Sequence, residues 1–595
     1  MVSSKHIVND PKAIVLDALK GVVALNPNVK LNEEYKVIHL AKVPHQVSII
    51  SGGGSGHEPS HAGFVGAGLL SAAVSGNVFA SPNTNQVKKA LEIVNNDKGT
   101  LIVIMQYTGD VLHFGLAKEQ FTAQNPSSKI RLLAVGEDVS VGREQGKMVG
   151  RRGMAGTVLV YKIAGALAKE GAEIDEVYDL GKYVADRTAT LGVGLEHCSL
   201  PGSTSTESHL KADEMELGMG IHNEPGLEKI TLPKTRDLLN QMITFSISTS
   251  DPDRSFVPFK GDGKDEVVLM INNLGGISQL ELSGIVGHAI EVASEKGLKV
   301  RRVLAGTYMT SLDMPGFSVS LFLLPREGES AYTADQLLSY VDAPGDAPGW
   351  AWNAASEPVV HVDTKEASSE EKAVKNNGSP LPPTSSSVFL AAIKQACEDV
   401  IAAEPEITRY DTIAGDGDCG TCLKSGGEGV LNALKAGEID ETDVISAVLT
   451  LAENIERDMD GTSGALYSIF FNALASGLRK ASEAQKTQAA TAEVWAAAVS
   501  FAKNTLYEYT RARAPSRTLV DPLEVFQTQF SSAPNDFSSA VRQAVDAAAE
   551  TSKIQAKAGR AAYVGREELS KANVPDPGAH GVGILLKGIE KALSA

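Results

Sequence analysis

Three aspartates lie close together in one short stretch of the chain, at Asp411, Asp416 and Asp418. The last two belong to AGDGDCGTC (414–422), where small residues surround a C-x-x-C pair. Carboxylates held this close repel one another unless a cation neutralises them. Magnesium, coordinated by carboxylates and by substrate phosphates, would supply that cation. On the local residues alone, a solvated turn rich in Asp and Gly that caps a helix remains the alternative.

Other metal and redox chemistries fit this stretch poorly. A redox C-x-x-C needs a thioredoxin-like βαβ context, and two preceding aspartates raise the pKa of a thiol instead of lowering it. Zinc needs four ligands, and the remaining cysteines, Cys198 and Cys397, lack metal-type spacing. An EF-hand requires further ligands, a glycine and a terminal glutamate that do not follow D-x-D here. The stretch therefore favours magnesium.

A second set of residues could bind phosphate. The segment GTSGAL (461–466) opens an apolar helical stretch, and free N–H groups at a helix N-terminus bind anions. The turn Asp576-Pro577-Gly578-Ala579 and the pair Gly559-Arg560 are further candidate nucleotide contacts. Taken alone, GTSGAL is an ordinary capped helix start. The chain has neither a Walker motif nor the protein-kinase signature, so these patterns by themselves do not identify a kinase.

Two histidines and one more aspartate could carry proton transfer or covalent chemistry. His57 lies on the glycine turn SGGGSGHEPSH (51–61) after an apolar run, and Asp110 follows the next predicted strand in QYTGDVLHF (106–114). Ligands bind where the strands of an α/β sheet end, so His57 and Asp110 could face one crevice. His222, in MELGMGIHNEPG (215–226), could be a nucleophile toward a carbonyl. A tight turn with an exposed histidine is the alternative for His57, and His222 by itself is one histidine among 12.

The elements that must position these residues divide the chain into two halves. From about residue 45 to 325, short β-branched runs alternate with glycine turns and helical stretches, which is typical of α/β sheets buried on both faces. After residue 387, Ala-rich segments with apolar residues three and four apart predict an all-α domain of about eight helices. Residues 364–387 have a linker composition. We therefore predict an α/β domain at 1–345, a linker at 346–386 and a helical domain at 387–595.

Composition and charge restrict the function classes. A chain of 595 residues is too long for one hydrophobic core. Its net charge of −18 argues against nucleic-acid and anionic-membrane partners. Four cysteines in this length cannot form a disulfide framework, and neither a secretory signal pattern, a bilayer-spanning apolar run nor a peroxisomal ending is found. We expect a cytoplasmic protein that acts on small molecules.

The order of the motifs makes the chain resemble the ATP-dependent dihydroxyacetone kinases, of the single-chain type found in fungi and animals. The motifs are ISGGGSGHEPSHAGF, YTGDVLHFGLA, MVGRRGMAGTVLV, MELGMGIHNEPG, NNLGG, GDGDCG, GTSGALY and DPGA. The resemblance covers nearly the whole chain. It implies transfer of the γ-phosphate of Mg-ATP to dihydroxyacetone, and also to glyceraldehyde. It further implies a substrate-binding region of two α/β subdomains and a nucleotide-binding eight-helix barrel.

The resemblance also implies a role for each matching residue. His222 would attack the ketone carbon to give a covalent hemiaminal, Asp110 would accept the proton of the phosphorylated hydroxyl, and His57 would assist by hydrogen bonding. The implied substrate loop is Gly54, Ser55, Gly56 and His57, with Asp110 beside the substrate. The implied metal ligands are Asp411, Asp416 and Asp418. The residues expected to contact the nucleotide are Asp418, Cys419, Gly420, Thr421, Thr462, Ser463, Ser516, Arg517, Arg560, Asp576, Pro577 and Gly578.

The chain departs from the family pattern at a few positions. Met105 stands where a lysine is usual, with Gln106 in place of an asparagine, and Asp460 replaces a glycine before GTSG. The loop RARAPSRTLVD (511–521) matches the nucleotide loop only in part. Some animal members also split FAD into AMP and cyclic FMN, and kinase-like subunits contact transcription regulators, so an added lyase activity and a regulatory binding protein are the alternatives. The resemblance also implies a homodimer formed through the α/β half.

Overall fold

The chain folds into two compact units, Met1–Asp363 and Thr364–Ala595, in a computed structural model. The structure describes residues 6–7, 10–202, 208–359 and 378–595. The boundary between the units falls within the predicted linker at 346–386, of which residues 360–377 lie outside the described part. Ala347 and Trp350, at the start of that predicted linker, pack on the core of the first unit. The predicted domain limits otherwise stay a prediction.

The first unit begins with a six-stranded mixed sheet. Its strands are β1 (Val29–Asn32), β2 (Val37–Leu40), β3 (Ser48–Ser55), β4 (Ala72–Val78), β5 (Thr100–Met105) and β6 (Ile130–Val135). The spatial order is β1-β2-β4-β3-β5-β6, and the four strands from β4 to β6 are parallel. The helices of this region are α1 (Ile14–Leu25), α2 (Thr84–Val94), α3 (Thr108–Gln124), α4 (Arg143–Val149), α5 (Thr157–Lys169) and α6 (Ile174–Asp186). β5 (TLIVIM) is buried along its whole length, as its continuous apolar run predicts.

One strand boundary differs from the sequence prediction. The sequence predicts a glycine turn at 51–61 after an apolar run, but β3 continues through these glycines to Ser55. The reason is that main-chain groups alone form the ladder to β4, with Gly52 opposite Val74 and Ser55 opposite Val78. His57 therefore lies two residues beyond a strand end, at the carboxyl edge of the parallel strands.

The second half of this unit is a separate mixed sheet. Its strands are β7 (Thr188–Gly194), β8 (Glu214–Leu217), β9 (Glu228–Thr231), β10 (Asp265–Asn273), β11 (Leu298–Gly306) and β12 (Gly316–Leu323). Their order is β11-β10-β12-β7-β8-β9, and only β10 and β11 pair in parallel among these strands. The helices are α7 (Thr235–Ser246), α8 (Gln279–Glu295) and α9 (Ala334–Asp342). The prediction of two α/β subdomains is confirmed.

The second unit is all-helical, as predicted. Within residues 378–595 the helices are α10 (Ser386–Ala402), α11 (Glu404–Ala414), α12 (Cys419–Ala436), α13 (Val444–Asp458), α14 (Gly461–Gln485), α15 (Ala492–Tyr509), α16 (Val520–Ser532), α17 (Phe537–Glu550), α18 (Arg566–Ala572) and α19 (Pro577–Leu593). This exceeds the predicted number. Pro405 has no N–H with which to continue α10, so a new helix begins there, and α18 is only seven residues long. Throughout the described residues, the helices are too short or too polar to span a bilayer.

Candidate active site

The first candidate site lies where the two sheets of the α/β unit meet. His57 follows β3 and Asp110 lies in the first turn of α3, directly after the neighbouring parallel strand β5. His222 comes from the turn between β8 and β9 of the other sheet. The Nε2 atoms of His57 and His222 are 3.0 Å apart, and the charge of His222 acts on Asp110. The structure thus brings together the three residues that the sequence singled out in this half.

The hydrogen bonds of His57 determine which of its nitrogens carries a proton. Its Nδ1 lies 2.8 Å from the carbonyl oxygen of Thr310, which can only accept, so Nδ1–H is the donor. Burial, followed by the charge of His222, lowers the pKa of His57 to about 3. A neutral His57 with its proton on Nδ1 leaves a lone pair on Nε2. The 3.0 Å contact between the two Nε2 atoms is therefore a hydrogen bond only when His222 Nε2 carries a proton, which it then shares with His57.

Glu224 orients His222, and the sequence reasoning assigned it no role. Its Oε1 accepts a hydrogen bond from His222 Nδ1 over 2.8 Å, and its Oε2 accepts from the main-chain N–H of His222. Burial opposes ionisation, but the hydrogen bonds and charge of His222 and the charge of Arg152 together lower the pKa of Glu224 to about 2. The position of Glu224 two residues after His222, in the motif IHNEPG, was the available signal.

Gly220 lets the Glu224 carboxylate and the Arg152 guanidinium approach one another. A Cβ at this position would lie 2.1 Å from Glu224 Oε2 and 2.5 Å from an Arg152 guanidinium nitrogen, so only glycine leaves room for both. The guanidinium is held in turn by Asp138 at 2.8 Å and by the Gly218 carbonyl at 2.7 Å. Arg152 belongs to the motif MVGRRGMAGTVLV, for which the sequence suggested no function. The carboxylate of Glu224 is thus fixed by groups from several separate segments.

Aromatic rings and apolar packing enclose His222 and Asp110. The rings of Phe79 and Tyr107 both meet the His222 ring edge-on, with centroids 4.9 Å away. Asp110 is 5 % exposed, and burial raises its pKa to about 6 against the opposing hydrogen bond from Ser81. Within the described residues its Oδ1 has no hydrogen-bond partner. Asp110 is therefore a carboxylate with a raised proton affinity and one oxygen free for a ligand.

The glycine loop supplies main-chain groups more than side chains. Ser55 Oγ already donates to the Gly76 carbonyl over 2.9 Å, and the Gly56 N–H donates to Glu58 at 2.9 Å. Substrate binding by Gly54, Ser55 and Gly56 stays a prediction. Met105 is 2 % exposed in the hydrophobic core, so this position offers no charge where the family pattern has lysine.

The second candidate site, in the helical unit, contains the three aspartates. One carboxylate oxygen from each of Asp411, Asp416 and Asp418 lies within 4.8 Å of the others. Asp411 lies in the last turn of α11, Asp418 immediately precedes α12, and Gly417 between them has a φ of +85°, which favours glycine. Burial, then the charges of Asp416 and Asp411, raise the pKa of Asp418. Three hard oxygen donors whose charge is only partly compensated fit a divalent cation such as Mg²⁺.

The local charges around this cluster agree with a cation site and disagree with thiol chemistry. Arg560 contacts Asp416 at 2.9 Å and the Cys419 N–H donates to Asp411 Oδ2 at 2.9 Å, which offset part of the negative charge. Burial, then the charges of Asp411 and Asp576, raise the pKa of Cys419 above its usual range. Burial and Asp418 also raise the pKa of Cys422. The raised pKa of both thiols disfavours the thiolate form that redox chemistry needs, which argues against the redox alternative.

Several predicted nucleotide contacts converge on this end of the helical unit. Thr462 and Ser463 lie in the first turn of α14, and Pro577 and Gly578 in that of α19. Cys422 Sγ donates to the Asp460 carbonyl over 3.1 Å and so joins α12 to the start of α14. The carboxylate of Asp576 caps α19 by accepting from the Ala579 N–H at 2.9 Å. Gly420 and Thr421 lie in the first turn of α12.

Arg517 and Ser516, which the resemblance assigns to nucleotide contact, are both buried, and that assignment stays a prediction. Arg517 is 0 % exposed, and its guanidinium donates to the carbonyl oxygens of Thr551 and Val574 at 2.8 and 2.9 Å. Ser516 is buried, and its main-chain N–H donates to Asp521. Arg517 therefore holds neighbouring segments together. The sequence of this basic loop does not show which carbonyl oxygens surround Arg517.

Comparison with known proteins agrees with this two-part arrangement. The Dak1 domain matches residues 20–349 and the DAK2 domain matches residues 413–591. The dihydroxyacetone kinase of Pichia angusta is 42 % identical over 620 residues, covering 100 % of this chain and 99 % of that protein. A triokinase/FMN cyclase of Mus musculus is 35 % identical over 606 residues, with coverages of 100 % and 99 %. The crystal structure of the dihydroxyacetone kinase from C. freundii in complex with AMP-PNP and Mg²⁺ is 27 % identical, covers both chains fully and has a TM-score of 0.60.

Proposed function

This chain belongs to the dihydroxyacetone kinase family, and we propose that it transfers the γ-phosphate of Mg-ATP to dihydroxyacetone held covalently on His222. The observation that carries the proposal is the arrangement of His222 between Glu224 at Nδ1 and His57 at Nε2. Glu224 keeps a proton on Nδ1, so that Nε2 becomes the nucleophilic nitrogen once the shared proton leaves it. Asp110 is the buried carboxylate that faces the same site.

The covalent step needs a proton for the substrate oxygen, and the proton shared by the two histidines supplies it. When His222 Nε2 attacks the carbonyl carbon, a C–N bond forms and the C=O π bond breaks. The shared proton moves from His222 Nε2 to His57 Nε2 as the bond forms, and His57 then passes it to the new alkoxide, which becomes the hemiaminal hydroxyl. The substituted ring keeps its proton on Nδ1 and is therefore positively charged, and the Glu224 carboxylate at 2.8 Å balances that charge. After this transfer His57 is neutral again, and the Thr310 carbonyl holds its remaining proton on Nδ1.

The phosphoryl step needs positioning and a proton acceptor. A substrate attached to His222 has its free hydroxyl fixed in space, and fixed geometry provides most of the acceleration in phosphoryl transfer. Asp110, with a pKa of about 6, accepts the hydroxyl proton. Asp411, Asp416 and Asp418 would hold Mg²⁺, which when bound supplies neutralisation of the phosphate oxygens. Because Met105 carries no charge, the orientation of the substrate hydroxyl depends on the covalent bond to His222 and on Asp110.

Selectivity follows from the covalent bond and gives the test of the proposal. Only a carbonyl can accept His222, so dihydroxyacetone and glyceraldehyde should be phosphorylated in an ATP-coupled assay and glycerol should not. His222→Ala should lose dihydroxyacetone turnover while keeping its fold, and crystals soaked with dihydroxyacetone should show continuous density from His222 Nε2 to the substrate. Density joining the substrate to another residue, or equal turnover of glycerol, would overturn the assignment.

A second activity is a separate candidate. Relatives that are 33–35 % identical over the full chain are described as triokinase/FMN cyclase, which supports testing for cleavage of FAD into AMP and cyclic FMN. Incubation with FAD and a divalent metal, followed by chromatography, separates the cases. Cyclic FMN formed by the wild type and lost in Asp416→Ala would support this activity, and unchanged FAD would exclude it.

We also infer a cytoplasmic homodimer, from family membership alone. The α/β unit is the expected contact between the subunits. Light scattering at micromolar concentration should give about twice the chain mass of 62.6 kDa. A particle with the mass of one chain would contradict the dimer.

A further inference from the structure

His61 is the second histidine of the glycine-loop motif SGGGSGHEPSH, and the reaction as proposed above does not use it. It is 4 % exposed, and within the described residues its Nε2 has no hydrogen-bond partner. A Cβ on Gly53 would lie 3.1 Å from that Nε2 and 3.7 Å from Asp110 Oδ2, so both side chains border the space beside the Gly53 Cα. A buried nitrogen without a partner is costly unless a ligand or a water satisfies it.

Hydrogen bonds to Nδ1 determine which nitrogen of His61 carries the proton. Ser51 Oγ donates to the Tyr161 hydroxyl over 3.0 Å, and the Tyr161 O–H in turn donates to His61 Nδ1, 2.6 Å away. Ser51 Oγ also lies 3.2 Å from Nδ1. Burial lowers the pKa of His61 to about 4, so the ring is neutral near neutral pH. With Nδ1 as the acceptor, the neutral ring carries its proton on Nε2 and directs an N–H donor into the space that Asp110 borders.

Asp110 presents the complementary group to the same space. Its Oδ1 is a buried acceptor that also lacks a partner in the part of the chain that the structure describes. The charge of His222 acts on this carboxylate, so the space adjoins the ring that would carry the substrate. A donor and an acceptor that border one space fit a group that accepts one hydrogen bond and donates another. A hydroxyl does both, whereas a carbonyl oxygen only accepts.

We propose that His61 is a substrate-binding residue whose Nε2–H donates to the same hydroxyl oxygen from which Asp110 takes the proton, an inference that rests on the proposed kinase function. The hydroxyl then directs its proton at Asp110 Oδ1 and one lone pair at His61, which leaves the second lone pair for the γ-phosphorus. As the O–P bond forms and ADP leaves, the hydroxyl proton passes to Asp110, while His61 keeps its own proton. Phosphoryl transfer depends on such a fixed orientation of the attacking oxygen.

Crystals of the full chain soaked with dihydroxyacetone test this contact directly. One substrate oxygen should lie within about 3.2 Å of both His61 Nε2 and an oxygen of Asp110. A substrate hydroxyl that contacts Asp110 while only a water contacts His61 Nε2 would overturn the inference and leave the proposed kinase function intact. Substrate bound without density to His222 would contradict the covalent function, and the same oxygen distances would still decide the role of His61.

Kinetic variants separate this role from a purely structural one. His61→Phe keeps a ring and removes the donor, so kcat for dihydroxyacetone should fall about tenfold, as expected for one hydrogen bond. The KM should change little, because the covalent bond to His222 still holds the substrate. His61→Gln, whose amide NH₂ can reach the position of Nε2, should recover most of the lost kcat. Tyr161→Phe should also lower kcat, because Nδ1 can then donate to Ser51 Oγ and the proton leaves Nε2.

Tyr308→Phe is the matched control for the tyrosine variant. Tyr308 is also buried, and its hydroxyl has no hydrogen-bond partner among the described residues, so its loss should leave kcat at the wild-type value. If His61→Phe does not fold, His61→Gln and Tyr161→Phe still decide the question. A folded His61→Phe or Tyr161→Phe enzyme with kcat within about twofold of wild type would overturn the inference, as would a folded His61→Gln enzyme that recovers no activity.

Discussion

Replacement of Glu224 by glutamine should lower kcat/KM for dihydroxyacetone by about tenfold or more, because the charge opposite His222 Nδ1 is lost. A hydrogen bond to a charged group is worth about 1.5–3 kcal/mol and a neutral one about 0.5–1.5 kcal/mol. The difference of about 1–1.5 kcal/mol corresponds to roughly a tenfold change, at about 1.4 kcal/mol per factor of ten. The substituted, positively charged ring of the hemiaminal loses this amount of stabilisation.

The geometry makes tenfold a lower limit. The two oxygens of Glu224 accept two different donors of His222, Nδ1–H and the main-chain N–H. A glutamine amide has one oxygen, so its NH₂ group must face one of those donors. If it faces Nδ1, the ring proton moves to Nε2 and the nucleophilic lone pair is lost. In the serine-protease triad, replacing the aspartate by asparagine enforces the wrong histidine tautomer and lowers kcat by about 10⁴-fold. That factor is the largest loss of activity that we expect for Glu224→Gln.

The assay is an initial-rate measurement with saturating ATP and varied dihydroxyacetone, accompanied by thermal unfolding. Glu214→Gln is the matched control, because Glu214 is in the same segment and pairs with Lys211 only in a surface contact, which contributes little to stability. The control should retain wild-type kcat/KM. A folded Glu224→Gln enzyme with kcat/KM within about twofold of wild type would refute the reasoning, since it would mean that the Nδ1 contact contributes less than a typical charged hydrogen bond.

Three further predictions concern the remaining site residues. Because Asp110 must be ionised to accept a proton and its pKa is raised to about 6, kcat/KM should fall about tenfold per pH unit below pH 6, and a flat profile down to pH 5 would contradict its role as base. Asp416→Ala should reduce turnover by orders of magnitude, whereas the Cys419→Ser/Cys422→Ser double variant should retain most activity; the opposite pattern would restore the thiol or zinc interpretation. Arg517→Ala should lower the Tm by leaving the buried Val574 carbonyl unpaired, at about 1–3 kcal/mol, and a variant with wild-type Tm but a raised KM for ATP would support the nucleotide assignment.

Patterns within a few residues predicted the type of each element but not all of its limits. The apolar run of β5 and the three- and four-residue spacing of the helical half predicted a strand and an all-α unit, since side-chain periodicity is a local property. The end of β3 was wrong because glycine carries no side-chain signal and the main-chain ladder to β4 extends the strand. Local patterns also left α18 unpredicted.

The sequence by itself determined the family, the three aspartates of one turn, and the candidate roles of His57, Asp110 and His222. These features depend only on residue type and short-range spacing. The tertiary structure decided which atoms meet. His57 and His222 are 165 residues apart and touch only because loops from two separate sheets pack together. Packing between distant segments also brought Arg152 beside Glu224 and buried Arg517 among carbonyl groups. Burial and orientation depend on contacts between distant segments, so no local pattern could specify them.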